Sequence, residues 1–308
     1  MQLKTDLVLE AATLINSHTK KDYTLTKNKT KDGFVKTMVD VLNEEGSKLL
    51  NKKMGKYITI DAEDNYLFDE TVKKYFAKEL SNTFTELMNS VNVNKPKKVF
   101  VVGLGNKQMV SDSLGPKVTE KIVITRHLKE VVKTDESTNE LNSISAIATG
   151  VLGTTGIETA RVVKSLVNEV KPDVVILIDT LSTLETKRIA NSFQLSNAGL
   201  IPGAGVGNSR QAIDSKTLGV PVIVVGVPLV VHAYTMCSEV LSKVSEEMNL
   251  QEKDPIINNI ANSVLGDLVV TIKDIDKVVE NCADIIALSI NLAVNPSLDF
   301  DQIKENIN

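Results

Sequence analysis

The chain is poor in the residues that announce most familiar chemistries. Cysteine occurs only as Cys237 and Cys282 in 308 residues. Both sit in apolar helical context, which argues against a disulfide framework and for buried thiols in a reducing compartment. No Cys/His spacing matches a zinc site. Histidine is confined to His18, His127 and His232, and there is no Gly-x-Ser-x-Gly elbow, so serine-nucleophile chemistry lacks its parts. No glycine loop continues into Gly-Lys-Ser/Thr, which excludes a Walker A nucleotide site. The net charge is −4, whereas nucleic-acid binding leaves a basic footprint, so direct nucleic-acid binding is not expected. Met1-Gln2-Leu3-Lys4-Thr5-Asp6 is no apolar signal region. The longest apolar stretch, residues 220–231, is too short to span a bilayer and carries Pro221 and Pro228. A soluble cytoplasmic protein without membrane contact is therefore expected. No repeat of solenoid period is found.

What is there is a large apolar fraction, 42%, enough for one sizeable core. Residues 174–178, Val-Val-Ile-Leu-Ile, form a short β-branched run of the kind buried on both sheet faces. Upstream, Ile157, Ala160, Val163, Val167 and Val170 share one helical face, and residues 144–148 before them are strand-like. Strand, glycine turn, amphipathic helix and strand make a βαβ unit. Residues 98–102, the loop Gly103-Leu104-Gly105-Asn106 and residues 115–128 suggest another, and residues 220–227 a further strand. Residues 67–91 carry Val72, Phe76, Leu80, Phe84, Leu87 and Val91 at helical spacing. Residues 233–248, 256–265 and 275–294 also read as helices, the last with Asp274 as N-cap. Residues 57–60 are strand-like, and 34–42 are strand or helix. The Lys/Thr/Asn-rich residues 17–31 read as an exposed loop or arm. The expected class is α/β, a doubly wound and mostly parallel sheet with helices on both faces, plus an accessory β-hairpin and C-terminal helices, all in one domain.

Two carboxylates stand where such a sheet binds ligands, outside the carboxyl ends of its strands. Asp179 follows the run 174–178, and Asp112 follows the first strand through its glycine loop. Either aspartate alone could be a helix N-cap. Held close together, two carboxylates cannot both ionise cheaply, so the pair keeps one acid and one base at the same pH, as activation of a water requires. His232 lies at a third strand mouth and is the next candidate, although a lone histidine beside an apolar run is more often structural. Asp112, Asp179 and His232 would suit a metal by ligand type, but nothing in their spacing establishes one. The glycines of 150–156 imitate a dinucleotide fingerprint only weakly, and they and the loop 202–208 are read first as conformational glycines. No metal or other cofactor is expected.

The stretch from Val101 to Pro116, the block Gly150 to Gly156 with Glu158-Thr159, Lys171-Pro172-Asp173 through Asp179, and Pro202-Gly203 through Gly226-Val227-Pro228 resemble the germination protease of spore-forming bacteria. Thr5-Asp6-Leu7-Val8-Leu9-Glu10-Ala11 is similar to that family's propeptide cleavage sequence. The resemblance implies an aspartic-type endopeptidase with the hydrogenase maturation protease fold. It would degrade small acid-soluble spore proteins at germination, in the forespore and spore core. It also implies a homotetrameric zymogen that processes itself. Carried over by motif, Asp112 and Asp179 are the catalytic pair and Asp6–Leu7 is the processing bond, leaving residues 1–6 as propeptide and 7–308 as the peptidase domain. A metal-dependent hydrolase on the same fold and an inert sporulation binding protein are the alternatives from other classes.

Overall fold

In the computed structural model, which describes residues 5–15, 21–62, 69–131, 141–203, 210–247, 265, 268–298 and 302–303, the run at 174–178 lies in mid-sheet with all five side chains fully buried. The strands are β1 (Tyr23–Lys29), β2 (Val35–Val41), β3 (Gly55–Asp61), β4 (Lys98–Gly103), β5 (Ser143–Ala148), β6 (Val174–Thr183), β7 (Ser192–Ser196), β8 (Val222–His232) and β9 (Val269–Val270). They form one sheet in the order β1-β2-β3-β7-β8-β6-β4-β5, with β9 paired to β8. The contiguous strands β5, β4, β6 and β8 are mutually parallel. β1, β2, β3 and β7 extend that core with antiparallel pairings, larger than the hairpin expected.

The helices are α1 (Val8–Leu14), α2 (Glu44–Leu50), α3 (Glu70–Ser90), α4 (Leu114–Thr119), α5 (Arg126–Val131), α6 (Leu152–Thr155), α7 (Thr159–Val170), α8 (Ser215–Leu218), α9 (Ala233–Glu247) and α10 (Ile275–Val294). Phe76, Phe84, Leu114, Val118, Ile286 and Ile290, from α3, α4 and α10, pack on one face of the sheet. Ala160, Val163 and Val167 of α7 and Leu218 of α8 pack on the other. The sheet is thus doubly wound. From β4 the chain passes through α4 to β5 on one side, then returns through α7 to β6 on the other. That reversal is the topological switch point, where an open α/β sheet forms its ligand crevice.

Three expectations are corrected. Residues 23–29 of the presumed polar arm form β1, an edge strand in which only Tyr23 is buried. Paired on one side and solvated on both faces, it has no reason to alternate apolar and polar residues. β6 does not stop before Asp179 but continues to Thr183, and β8 continues to His232. The two extensions pair with each other across an irregularity between Leu181 and Ser182. The polar residues Asp179, Thr180, Ser182 and Thr183 mask the strand pattern in β6, where Asp179–Ser182 line a cavity. Asp274 precedes α10 with a left-handed backbone (φ 58°) and makes no side-chain cap. Residues 34–42, read as strand or helix, are resolved as strand β2. The helix expected at 256–265 falls, apart from Leu265, outside the described residues, as do residues 204–208 of the third glycine loop.

Candidate active site

The chain leaves β4 at Gly103, and the Leu104 N–H donates to the Ile178 carbonyl at 2.8 Å, tying the loop to β6 next to Asp179. A tight turn follows. The Asn106 N–H donates to both the Asp112 carbonyl (3.0 Å) and Asp112 Oδ2 (2.9 Å). Asp112 ends a short 3-10 turn at Val110–Asp112, and α4 begins at Leu114 with no side-chain cap. Its carboxylate therefore looks back into the crevice instead of capping a helix. Gly105 makes this possible. Its φ is +108°, and a Cβ there would lie 2.1 Å from the Asp112 carbonyl oxygen and 3.0 Å from Oδ1. Gly105→Ala is expected to lose more than about 1 kcal/mol of stability and to displace Asp112. Denaturant unfolding alongside a peptidase assay checks this, and an unchanged midpoint with full activity would contradict it.

Asp179 lies on β6 as part of the cavity wall, its Oδ1 accepting from the Thr180 N–H at 2.9 Å. Burial pushes its pKa well above the ordinary 3.8, and the nearby negative charges of Asp112 and Asp6 push it further. The Asp112 pKa is raised as well, by burial, against the opposing Asn106 hydrogen bond and the Arg210 charge. Asp112 and Asp179 thus stand close enough to interact as like charges, the arrangement in which one carboxyl stays protonated while its partner ionises. Helix capping is excluded for both.

A cavity of about 770 Å³ opens here, and its lining includes Asp6, Asp112, Asp179, Gln194, Arg210 and His232. The N-terminal segment lies in it. The Asp6 N–H donates to the Ser182 carbonyl at 3.1 Å. Asp6 Oδ2 accepts from the Ser182 N–H and Oγ–H, each at 2.8 Å. Lys52 Nζ donates to the Thr5 carbonyl at 2.7 Å. Burial lowers the Lys52 pKa, and the charges of Asp6 and Glu10 resist that shift. Beyond Asp6 the chain enters α1. Leu7 and Val8 are fully buried, and Val8, Leu9 and Ala12 pack against Tyr23, Val39, Tyr57 and Leu50. Glu10, buried as well, accepts from Thr183 Oγ1 (2.6 Å) and from the N–H groups of Leu184 (2.9 Å) and Glu185 (3.2 Å). The Asp6–Leu7 peptide bond is consequently strapped into the cavity by contacts on both sides of it.

The third candidate, His232, is buried at the end of β8 and lies on the cavity wall, its ring 5.7 Å from that of Tyr234. His127 is exposed on α5, and His18 lies outside the described residues. Among the described residues no group of three or more His, Cys, Asp or Glu side chains is placed to hold a metal ion. Gly156 closes the four-residue helix α6 instead of opening the long helix α7, which fits a conformational role. Sequence reasoning missed Lys52, Ser182, Gln194 and Arg210. A glutamine between Phe193 and Leu195 in a buried strand was the one local signal available.

The sequence model of the germination protease family matches residues 5–249. The chain belongs to the germination protease family. A germination protease of Clostridium tetani is 38% identical over 327 residues, with 100% of both chains covered. Another, from Caldanaerobacter subterraneus subsp. tengcongensis, is 40% identical over 320 residues and covers 98% of this chain and 97% of its own. Family membership makes the protein a peptidase, consistent with a cleft that holds paired carboxylates and a peptide segment. Among solved structures, a hydrogenase maturation protease from Thermococcus kodakarensis aligns at 14% identity and a TM-score of 0.31, over 66% of this chain and 98% of its own. That likeness is too loose to carry an argument about the site. No helix among the described residues is long and apolar enough to cross a membrane.

Proposed function

We propose that the protein is an aspartic-type endopeptidase made as a zymogen, that Asp112 and Asp179 are its catalytic pair, and that its first substrate is its own Asp6–Leu7 bond. The observation that carries this reading is the position of that bond, held in the same cavity as the two aspartates. Asp179, with its pKa raised well above the usual carboxylate range, is the protonated acid, and Asp112 is the base. A water between them attacks the Asp6 carbonyl carbon and gives its proton to Asp112, while the carbonyl electron pair moves onto the Asp6 oxygen. The tetrahedral adduct then collapses, the C–N bond breaks, and Asp179 protonates the departing Leu7 nitrogen. Proton exchange with solvent restores the pair.

With residues 1–6 removed, the cleft left by the strap becomes the substrate channel. The germination protease name of the family, together with the motif resemblance, supports small acid-soluble spore proteins as substrates, action in the forespore and spore core, and a homotetrameric assembly. The test is incubation of the full-length chain, followed by mass spectrometry and addition of a small acid-soluble spore protein. Loss of residues 1–6 followed by cleavage of the added protein is expected. Cleavage of the added protein by a chain that keeps Asp6 joined to Leu7 would overturn the zymogen reading.

A further inference from the structure

The Asp6–Leu7 peptide bond is also held by a residue from a different strand. Gln194 projects from β7 and touches the N-terminal segment twice. Its Nε2 donates to the Asp6 carbonyl oxygen at 3.1 Å, and its Oε1 accepts from the Val8 N–H at 2.7 Å. A backbone carbonyl can only accept and a backbone N–H can only donate, so the two partners dictate which end of the amide is which. The two hydrogen bonds bracket the Asp6–Leu7 bond. Register explains how a residue 186 positions from Val8 arrives there. Asp179 pairs with Gly226 on β8, and Gly226 pairs with Gln194 on β7. Residues paired across a sheet project from the same face, so Asp179 and Gln194 flank a position that has no side chain. The space beside Gly226 is taken by Leu181, and a Cβ there would come within 2.6 Å of it.

We propose that Gln194 is a catalytic residue that clamps the substrate backbone across the cleaved bond and donates a hydrogen bond to the oxyanion formed on the carbonyl oxygen. The proposal rests on the reading of Asp6–Leu7 as the processing bond. When water adds to the Asp6 carbon, negative charge gathers on the oxygen that Nε2 already faces, so the hydrogen bond strengthens as the barrier is climbed. The cavity supplies two carboxyl groups, but both are engaged in moving protons. A neutral amide offers a donor that does not titrate, and Oε1 fixes its direction by holding the Val8 N–H. Because both contacts are to backbone, the clamp would serve any peptide seated in the cleft.

The test follows removal of residues 1–6 from the full-length chain by mass spectrometry across a range of pH. Gln194→Glu keeps the shape and the acceptor for Val8 but replaces the donor by a carboxylate. Its processing rate at neutral pH is expected to fall about 10²-fold. As the pH drops and the new carboxyl regains an O–H, the deficit should shrink. Gln194→Met, with no donor at any pH, should show a deficit that does not shrink. Thermal unfolding of each variant confirms the fold. A Gln194→Glu rate within about twofold of the unsubstituted chain, or a deficit equal at every pH and shared by Gln194→Met, overturns the proposal. If the unsubstituted chain is cut elsewhere, the processing reading itself falls. Cleavage at Asp6–Leu7 with Gln194→Glu unimpaired removes only the role of Gln194.

Discussion

Asp112→Asn and Asp179→Asn should each leave residues 1–6 attached and slow peptide hydrolysis by roughly 10²–10⁴-fold, the range for loss of a positioned acid or base. Asparagine preserves volume, so the change removes proton transfer and little else. The same substitution at Asp179 should raise stability at neutral pH. Between the ordinary value of 3.8 and the raised native value, folded Asp179 holds a proton that the unfolded chain has released. The native state then binds more protons than the unfolded one, so stability falls as pH rises through that window, and the penalty stays constant above it. An amide at 179 carries no such penalty. Asp179→Asn should therefore melt above the unsubstituted chain at pH 7, and the two curves should converge as the pH approaches 3.8 from above. Full processing by either variant would sink the catalytic assignment. A melting difference independent of pH would sink the electrostatic account of Asp179.

Glu10→Ala should cost about 3 kcal/mol of folding stability, the low end of the range for breaking a buried charged pair. Glu10 is buried and gathers the Thr183 hydroxyl, the Leu184 and Glu185 N–H groups and, at 3.6 Å, Arg188 Nε. Truncation would leave those donors facing a hole, since alanine can accept from none of them. Arg188 keeps Asp61 and Glu185 as partners at 2.8 and 2.9 Å, which is why the low end applies. The anchor also has a functional side. Thr5 Oγ1 donates to Glu10, and the Leu7 N–H donates to Thr5 Oγ1 at 3.0 Å, so Glu10 holds the strap on both sides of the Asp6–Leu7 bond. Removal of residues 1–6 should accordingly slow in Glu10→Ala, because a loosened strap spends less time in reacting geometry. Urea unfolding with an unchanged m-value checks the stability change. A loss under about 1 kcal/mol would show that the network contributes little.

Much of the architecture was legible because burial leaves a period in the residues that undergo it. The run 174–178, the helical spacings in 67–91 and 275–294, and the strand at 98–102 were all visible this way, since each packs a continuous apolar face on a neighbour. Asp112 and Asp179 stood out as charges at the ends of such runs. β1 was illegible for the converse reason: an edge strand with one buried side chain has no apolar period to display. The polar end of β6 was hidden because it faces a cavity.

By itself, the sequence determined the α/β class, the two aspartates at strand ends and, through its motifs, the germination protease family with Asp6–Leu7 as the expected processing bond. Only the tertiary structure decided that these pieces meet. It decided that the chain reverses between β4 and β6, that the Asp6 carboxylate lies near enough to Asp179 to raise its pKa, and that Gln194 reaches the same peptide bond from β7. Local patterns record what each segment buries, whereas the company of residues more than 170 positions apart depends on strand order and register, which no local pattern encodes.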